Sequence, residues 1–171
     1  MHREDILSAD LCGEYLLATA SFDGLIAVWN IRAPRVMNTF SARTARTPET
    51  AAPATPAGAK PAVEQVLWLQ HRVQQQQRQQ QNTGTATLVS CSDGGLVFFW
   101  DHLRETLLGG FQALDSPAPT DAVTAMAVNE ANTILVVAST MGTVHVFDIA
   151  QAYTRNNTAA PPALRSWQAH P

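Results

Sequence analysis

The chain has 171 residues, enough to bury a core and ordinarily the length of one domain. Its 11 Lys and Arg against 14 Asp and Glu leave a formal net charge of -3, with no basic stripe interleaved with aromatics, which argues against nucleic acid or anionic lipid as a partner. The first residues are polar with no apolar leader segment behind them, and no apolar run approaches the length of a membrane span, so a cytoplasmic or cytoskeletal location is expected.

Ile6 to Leu11 is a short strand candidate, separated by a turn at Gly13-Glu14 from a second strand, Tyr15 to Ser21. A tight Asp23-Gly24 turn leads into Leu25 to Ile31, and after Pro34 a fourth strand is predicted over Val36 to Phe40. Four antiparallel strands in sequence make a meander, and residues 1–40 complete one unit. Their polar/apolar alternation is imperfect, as expected of strands covered on both faces. Residues 41–61, with Pro48, Pro53, Pro56 and Pro61 among Ala and Thr, offer little apolar area and read as a flexible loop.

The second unit is predicted over residues 62–115. Val63 to Leu69 reads as its opening strand, with a helix start as the alternative because Val63, Val66 and Leu67 also sit at helical spacing. A glutamine tract, Gln70 to Gln81, is interrupted by His71, Arg72, Val73 and Arg78. Low-complexity glutamine is usually disordered, so residues 70–85 are read as a loop insertion on a stable frame. Thr87 to Ser92 and Leu96 to Trp100 form the next hairpin, and the fourth strand falls near Thr106 to Leu108 or Phe111 to Leu114. The third unit spans residues 121–170: Val123 to Val128, Thr133 to Ser139, a turn at Met141-Gly142, Thr143 to Ile149, a polar Ala/Pro loop over 151–162, and Leu164 to Gln168.

One frame recurs in all three units. Leu17 to Asn30 reads LATASFDGLIAVWN, Leu88 to Asp101 reads LVSCSDGGLVFFWD, and Leu135 to Asp148 reads LVVASTMGTVHVFD. Gly24, Gly95 and Gly142 fall in register, as do Ser21, Ser92 and Ser139, and the aromatics Trp29, Trp100 and Phe147. Three copies of one hairpin indicate a repeat architecture.

These features resemble the WD-repeat family of β-propellers, whose repeats carry Gly-His or a similar dipeptide before the first strand, a Ser or Thr in the second, an Asp-Gly turn, and Trp-Asp closing the third. The first unit has the fullest set, in His2, Thr19, Asp23-Gly24 and Trp29-Asn30. By this resemblance His2, Thr19, Asp23 and Trp29 form a structural hydrogen-bonded tetrad, in which a histidine joins a buried carboxylate to a hydroxyl and an indole N–H that would be costly to leave unpaired. The second unit keeps Ser90 and Trp100-Asp101, but its aspartate moves to Asp93, Gly94 takes the aligned place, and no histidine precedes Val63. The third has Val137, Met141 and Phe147 at three tetrad positions, so packing is expected to replace the network there.

The resemblance implies an all-β fold of β-propeller blades, each a four-stranded antiparallel meander, about three blades of a larger propeller. Propellers typically close with four to eight blades, so three imply remaining blades of the same propeller as neighbours. The chain opens at the His2 boundary and stops at His170, the matching boundary of a next repeat, so a piece of a longer propeller is expected. DILSADLCGEYLLATASFDGLIAVWN, AVTAMAVNEANTILVVASTMGTVHVFDI and LRSWQAH look like segments of large WD-repeat proteins of motile cilia. No calcium-loop motif accompanies them.

Catalytic chemistry is not expected. His2, His71, His102, His145 and His170 lack metal-ligand spacing, and His145, between two valines, is placed on a sheet face or in a central channel. No G-x-S-x-G elbow supplies a nucleophile for Asp101-His102, and Gly94-Gly95 and Gly109-Gly110 lack the residues of a phosphate loop. Cys12 and Cys91 read as buried thiols. No catalytic, cofactor-binding or metal-binding residue is therefore predicted, and no cofactor. The expectation is a non-catalytic scaffold whose partners are other proteins, axonemal or microtubule-associated by resemblance, in the cytoskeleton of a cilium or flagellum. The alternative is a peptide-recognition or substrate-adaptor propeller in a ubiquitin ligase or chromatin complex, with Trp68 and His71 as rim residues unless buried. Arg43, Arg46 and Lys60, and separately Arg32 and Arg35, are weak basic patches whose plainer reading is solvated surface.

Overall fold

The computed structural model describes residues 1–42, 62–79, 87–114, 121–154 and 159–170, which form an all-β architecture of three separate four-stranded antiparallel meanders packed against one another. The first sheet holds β1 (Ile6–Cys12), β2 (Leu16–Ser21), β3 (Leu25–Asn30) and β4 (Arg35–Ser41) in that order. In the second lie β5 (Val63–Trp68), β6 (Leu88–Ser92), β7 (Leu96–Asp101) and β8 (Thr106–Gln112), and in the third β9 (Val123–Val128), β10 (Ile134–Ser139), β11 (Thr143–Asp148) and β12 (Ala163–Gln168). Val63 to Trp68 is thus a strand, and β8 covers all of the first stretch proposed for the fourth strand of its unit and the first half of the second.

Each central hairpin turns on a glycine with left-handed φ: +79° at Gly24, +82° at Gly95 and +75° at Gly142. A side chain is disfavoured in that region, which is why the glycine recurs while its neighbours vary. The pairing on either side repeats: Leu17 faces Trp29, Leu88 faces Trp100, and Leu135 faces Phe147. Irregularities repeat too. A register shift lies between the third and fourth strands at Val28/Trp29, at Phe99/Trp100 and at Val146/Phe147. Coincident bulges make the three sheets copies in backbone detail as well as in outline.

Two cores lie between the sheets. Between the first and second, Ala18, Ala20, Ile26, Val28 and Phe40 meet Val66, Trp68, Leu88, Phe98 and Trp100. Between the second and third, Val89, Cys91, Val97, Phe99 and Phe111 meet Val123, Met126, Leu135, Val137 and Phe147. The first strands β1, β5 and β9 pack side by side in that order. Their edges are tied by hydrogen bonds, with Asp10 Oδ2 accepting from the Trp68 amide at 2.7 Å and Gln65 Nε2 donating to the Thr124 carbonyl at 3.4 Å.

Two stretches differ from the sequence reading. The insertion expected to be a loop over 70–85 begins as an α-helix, α1 (Gln70–Gln79). Gln and Arg are good helix formers, no Gly or Pro interrupts them, and Val73 is buried in the first core, which anchors the helix by tertiary contact. Residues 80–86 lie outside the described residues. The loop assigned to 151–162 starts with core: Ala152 and Tyr153 are buried, and the Tyr153 ring lies against Phe99 with centroids 4.6 Å apart. Tyr153 also covers Gly109, where any Cβ would come within 2.1 Å of its ring. In the loop assigned to 41–61, only residues 41 and 42 are described, so Arg43, Arg46 and Lys60 fall outside the described residues.

Candidate interaction faces and the hydrogen-bonded network

Strands β2 and β3 place Thr19 and Trp29 on the same face, and the Asp23-Gly24 turn sets Asp23 at its end. His2 lies over them on the segment leading into β1. The indole Nε1 of Trp29 donates to Thr19 Oγ1 at 2.8 Å, and Thr19 Oγ1 meets His2 Nε2 at 2.7 Å. His2 Nδ1 faces Asp23 Oδ1 at 3.5 Å. Thr19 Oγ1 also donates to the Ala27 carbonyl at 3.3 Å, so one hydroxyl joins the indole, the imidazole and the backbone, with the Asp23 carboxylate beside the far edge of the His2 ring.

Asp23 also holds the turn and the incoming segment. Its Oδ1 accepts from the Leu25 amide at 3.0 Å and its Oδ2 from the Arg3 amide at 2.7 Å. Burial pushes its carboxyl up, but those two amides, with Ser21 and His2, outweigh it and hold the group below the usual aspartate range. In the second sheet the shorter form remains: Trp100 Nε1 donates to Ser90 Oγ at 2.9 Å. In the third, Val137 and Phe147 occupy the corresponding places and are packed into the second core.

Other polar groups serve the frame. His102 is buried with its Nδ1 2.9 Å from Thr87 Oγ1, and Trp68 meets its ring edge-on. Burial pulls the His102 pKa below its ordinary value, with Asp101 acting in the opposite direction. Trp68, weighed as a rim residue, is 1% exposed and donates Nε1 to the Asp10 carbonyl, so it belongs to the core; His71 is exposed. Burial, assisted by Asp10, raises the Cys12 thiol to about 11, which leaves it a poor nucleophile. Arg32 is paired with Glu14 in an exposed surface ion pair and lies over the Tyr15 ring.

Arg72 was missed by sequence reasoning. From α1 its buried guanidinium donates to the carbonyls of Asn132, Ile149, Ala150 and Ala152, tying the insertion of the second sheet to turns of the third. Burial lowers its pKa to about 10, which keeps it cationic at neutral pH. A basic residue inside a glutamine tract gives no hint of this, because the carbonyls lie about sixty or more residues away in sequence.

An open cleft of about 270 Å³ brings Asp121, His145 and Ser166 to one wall. They form no relay: Asp121 Oδ1 accepts from Thr140 Oγ1 and the Met141 amide, and His145 Nε2 faces Thr143 Oγ1 at 3.3 Å. Among the described residues no group of three or more His, Cys, Asp or Glu is placed to hold a metal ion, and no helix is long and apolar enough to cross a membrane.

The sheets themselves carry the more informative surfaces. Each has a leading face, bearing Trp29, Trp100 or Phe147, and a trailing face with the alternate residues. The trailing face of the first sheet packs on the leading face of the second, and the trailing face of the second on the leading face of the third. An aromatic on the fourth strand marks each contact. Phe40 meets Trp100 at 5.2 Å between centroids, and Phe111 meets Phe147 at 4.8 Å.

Two faces are left at the ends of this stack. On the first sheet's leading face Ala9 and Leu11 are exposed, and Leu17 and Trp29 half-buried. The third sheet's trailing face has an apolar middle, with Ala125 and Ala127 exposed, Val136, Ala138, Val144 and Val146 half-buried and Trp167 49% exposed, and it also bears the exposed Arg165 opposite Val146. No family model matches this chain, and no curated protein matches it.

Proposed function

We propose that this chain is a non-catalytic scaffold, part of a WD-repeat propeller that offers rigid faces to protein partners within a large assembly such as the ciliary axoneme. The observation that carries the reading is the single polarity of the stack: three like sheets, the leading faces of the second and third each covered by the trailing face before it, with one face of each kind left at the ends. Solvent-exposed apolar sheet faces of this extent are costly unless another surface covers them. The run from Trp29 through Thr19 and His2 to Asp23 supports the WD-repeat form of the reading, since these are the residues the resemblance singles out. The axonemal setting rests on the resemblance of the three quoted segments.

Binding in such a module is shape and surface complementarity with no bond made or broken. A mildly acidic chain suits contact with acidic tubulin through intermediary proteins better than direct contact. Affinity capture from ciliated cells, followed by mass spectrometry, tests the proposal. Axonemal or microtubule-associated proteins are the expected partners. Recovery of ubiquitin-ligase or histone components instead would replace this reading with that of a substrate adaptor.

A further inference from the structure

The contact between the second and third sheets departs at one place from its counterpart between the first and second. Three residues after each hairpin glycine the sheets carry Ala27, Phe98 and His145, paired across to Thr39, Gly110 and Ser166 on the fourth strands. Phe98 is 3% exposed in the first core, and a Cβ at Gly110 would come within 2.7 Å of its ring. In the third sheet the imidazole of His145 stands at that place, beside two open clefts of about 380 and 270 Å³. The larger has β8 on one side and β11 and β12 on the other, so it lies in a contact that this chain already forms. The smaller shares His145 and Ser166 with it and reaches Asp121.

His145 is 8% exposed, and only its Nε2 has a hydrogen-bond partner among the described residues, Thr143 Oγ1 at 3.3 Å. A polar ring so buried and half satisfied, where the other sheets carry Ala or Phe, is costly unless a ligand completes it. Asp121 accepts from Thr140 Oγ1 and the Met141 amide through Oδ1 alone, which leaves Oδ2 without a partner among the described residues. The walls indicate the ligand's chemistry. Phe111, Ala113, Phe147 and Pro161 give the larger cleft an apolar side, and among the described residues no Lys or Arg lines either cleft. An apolar wall leading to a carboxylate suits a long basic side chain, which lays its methylene stem on apolar surface and carries its charge to acceptors.

We propose that the clefts around His145 bind a lysine or arginine side chain of a protein partner, its stem against Phe111 and Phe147 and its charged head between the Asp121 carboxylate and the His145 ring. With Nε2–H donating to Thr143 Oγ1, the Nδ1 of His145 keeps the lone pair that accepts from the ligand. This inference rests on the scaffold reading for the partner's being a protein, and deepens it by naming a site and a side-chain class.

Heteronuclear NMR of the whole chain tests it, read at the His145 ring and at the amides of Asp121, Thr143 and Ser166. The probes are N-acetyl-lysine methylamide and N-acetyl-arginine methylamide, with the norleucine and glutamate analogues as neutral and acidic counterparts. The basic probes should give saturable shifts in the millimolar range expected of a single side chain, and the other two should bind at least about tenfold more weakly. Asp121→Asn keeps Oδ1 for the turn and removes the charge, so it should weaken the basic probes by at least about tenfold. His145→Phe, which installs the residue of the second sheet, should abolish their binding, and unchanged signals from the first sheet check the fold of both variants. Absence of saturable shifts with both basic probes, equal or tighter binding of norleucine or glutamate, or unaltered affinity in either variant overturns the proposal. Each of those results leaves the scaffold reading standing, since that reading is decided by the captured partners.

Discussion

A threonine hydroxyl has one proton and two lone pairs, and Thr19 places them where they hold three elements together. It accepts from the Trp29 indole on β3, meets the His2 ring on the incoming segment, and lies 3.3 Å from the Ala27 carbonyl. Thr19→Val keeps the shape and strips out the hydroxyl, leaving the indole N–H and the His2 nitrogen without a partner. We expect a loss of roughly 1–3 kcal/mol in urea unfolding, with Thr19→Ser close to wild type. Equal stabilities for wild type and Thr19→Val would show that the run of contacts contributes nothing. His102 gives a pH dependence of known sign. Burial holds it neutral in the folded chain, while the unfolded chain takes up a proton near the ordinary value of about 6.5. Stability should therefore fall as pH drops below about 6.5, until the lowered folded value is passed. Asp23, held below its usual range, adds a separate loss in the acid region where its carboxylate protonates. Urea midpoints between pH 7.5 and 5.5 should drop for wild type and drop less for His102→Gln; matching slopes would exclude His102 as the source.

At the scale of elements, the hairpins were legible in sequence and the tertiary ties were not. A two-residue turn with a left-handed glycine is specified by its own residues, so Gly24, Gly95 and Gly142 could be aligned with no structure in hand. The pairing of Trp29 with Thr19 was accessible for the same reason, since both lie on one hairpin. Helix α1 was hidden because the composition of a glutamine tract signals disorder, while the contact that orders it, Val73 in the first core, depends on distant partners. Tyr153 was hidden likewise, because the Gly109 it covers belongs to another sheet. The Arg72 tie makes α1 testable. Arg72→Met keeps much of the apolar stem and leaves the four carbonyls without their donor, which should cost roughly 2–3 kcal/mol. Ala substitutions at the exposed Gln74 and Gln75 should stay within about 0.5 kcal/mol. If Arg72→Met proves as mild as those surface changes, the helix is an appendage and the tie is incidental.

Across the whole molecule, the three sheets differ in cover far more than in design. Every residue of β6 is buried, and so is every residue of β7 but Leu96, because the second sheet has a neighbour on each face. Along β12 every residue is exposed, and β10 alternates between buried and half-buried because only one of its faces is packed. In a linear stack each unit draws stability from its neighbours, so the order of opening follows the order of cover. Native-state hydrogen exchange should find the amides of β6 and β7 slowest, near the global unfolding free energy, and those of β12 exchanging through local opening. A single rate across all three sheets at low concentration would mean that the stack opens as one unit. The exposure of its end faces would then not be what sets where it first comes apart.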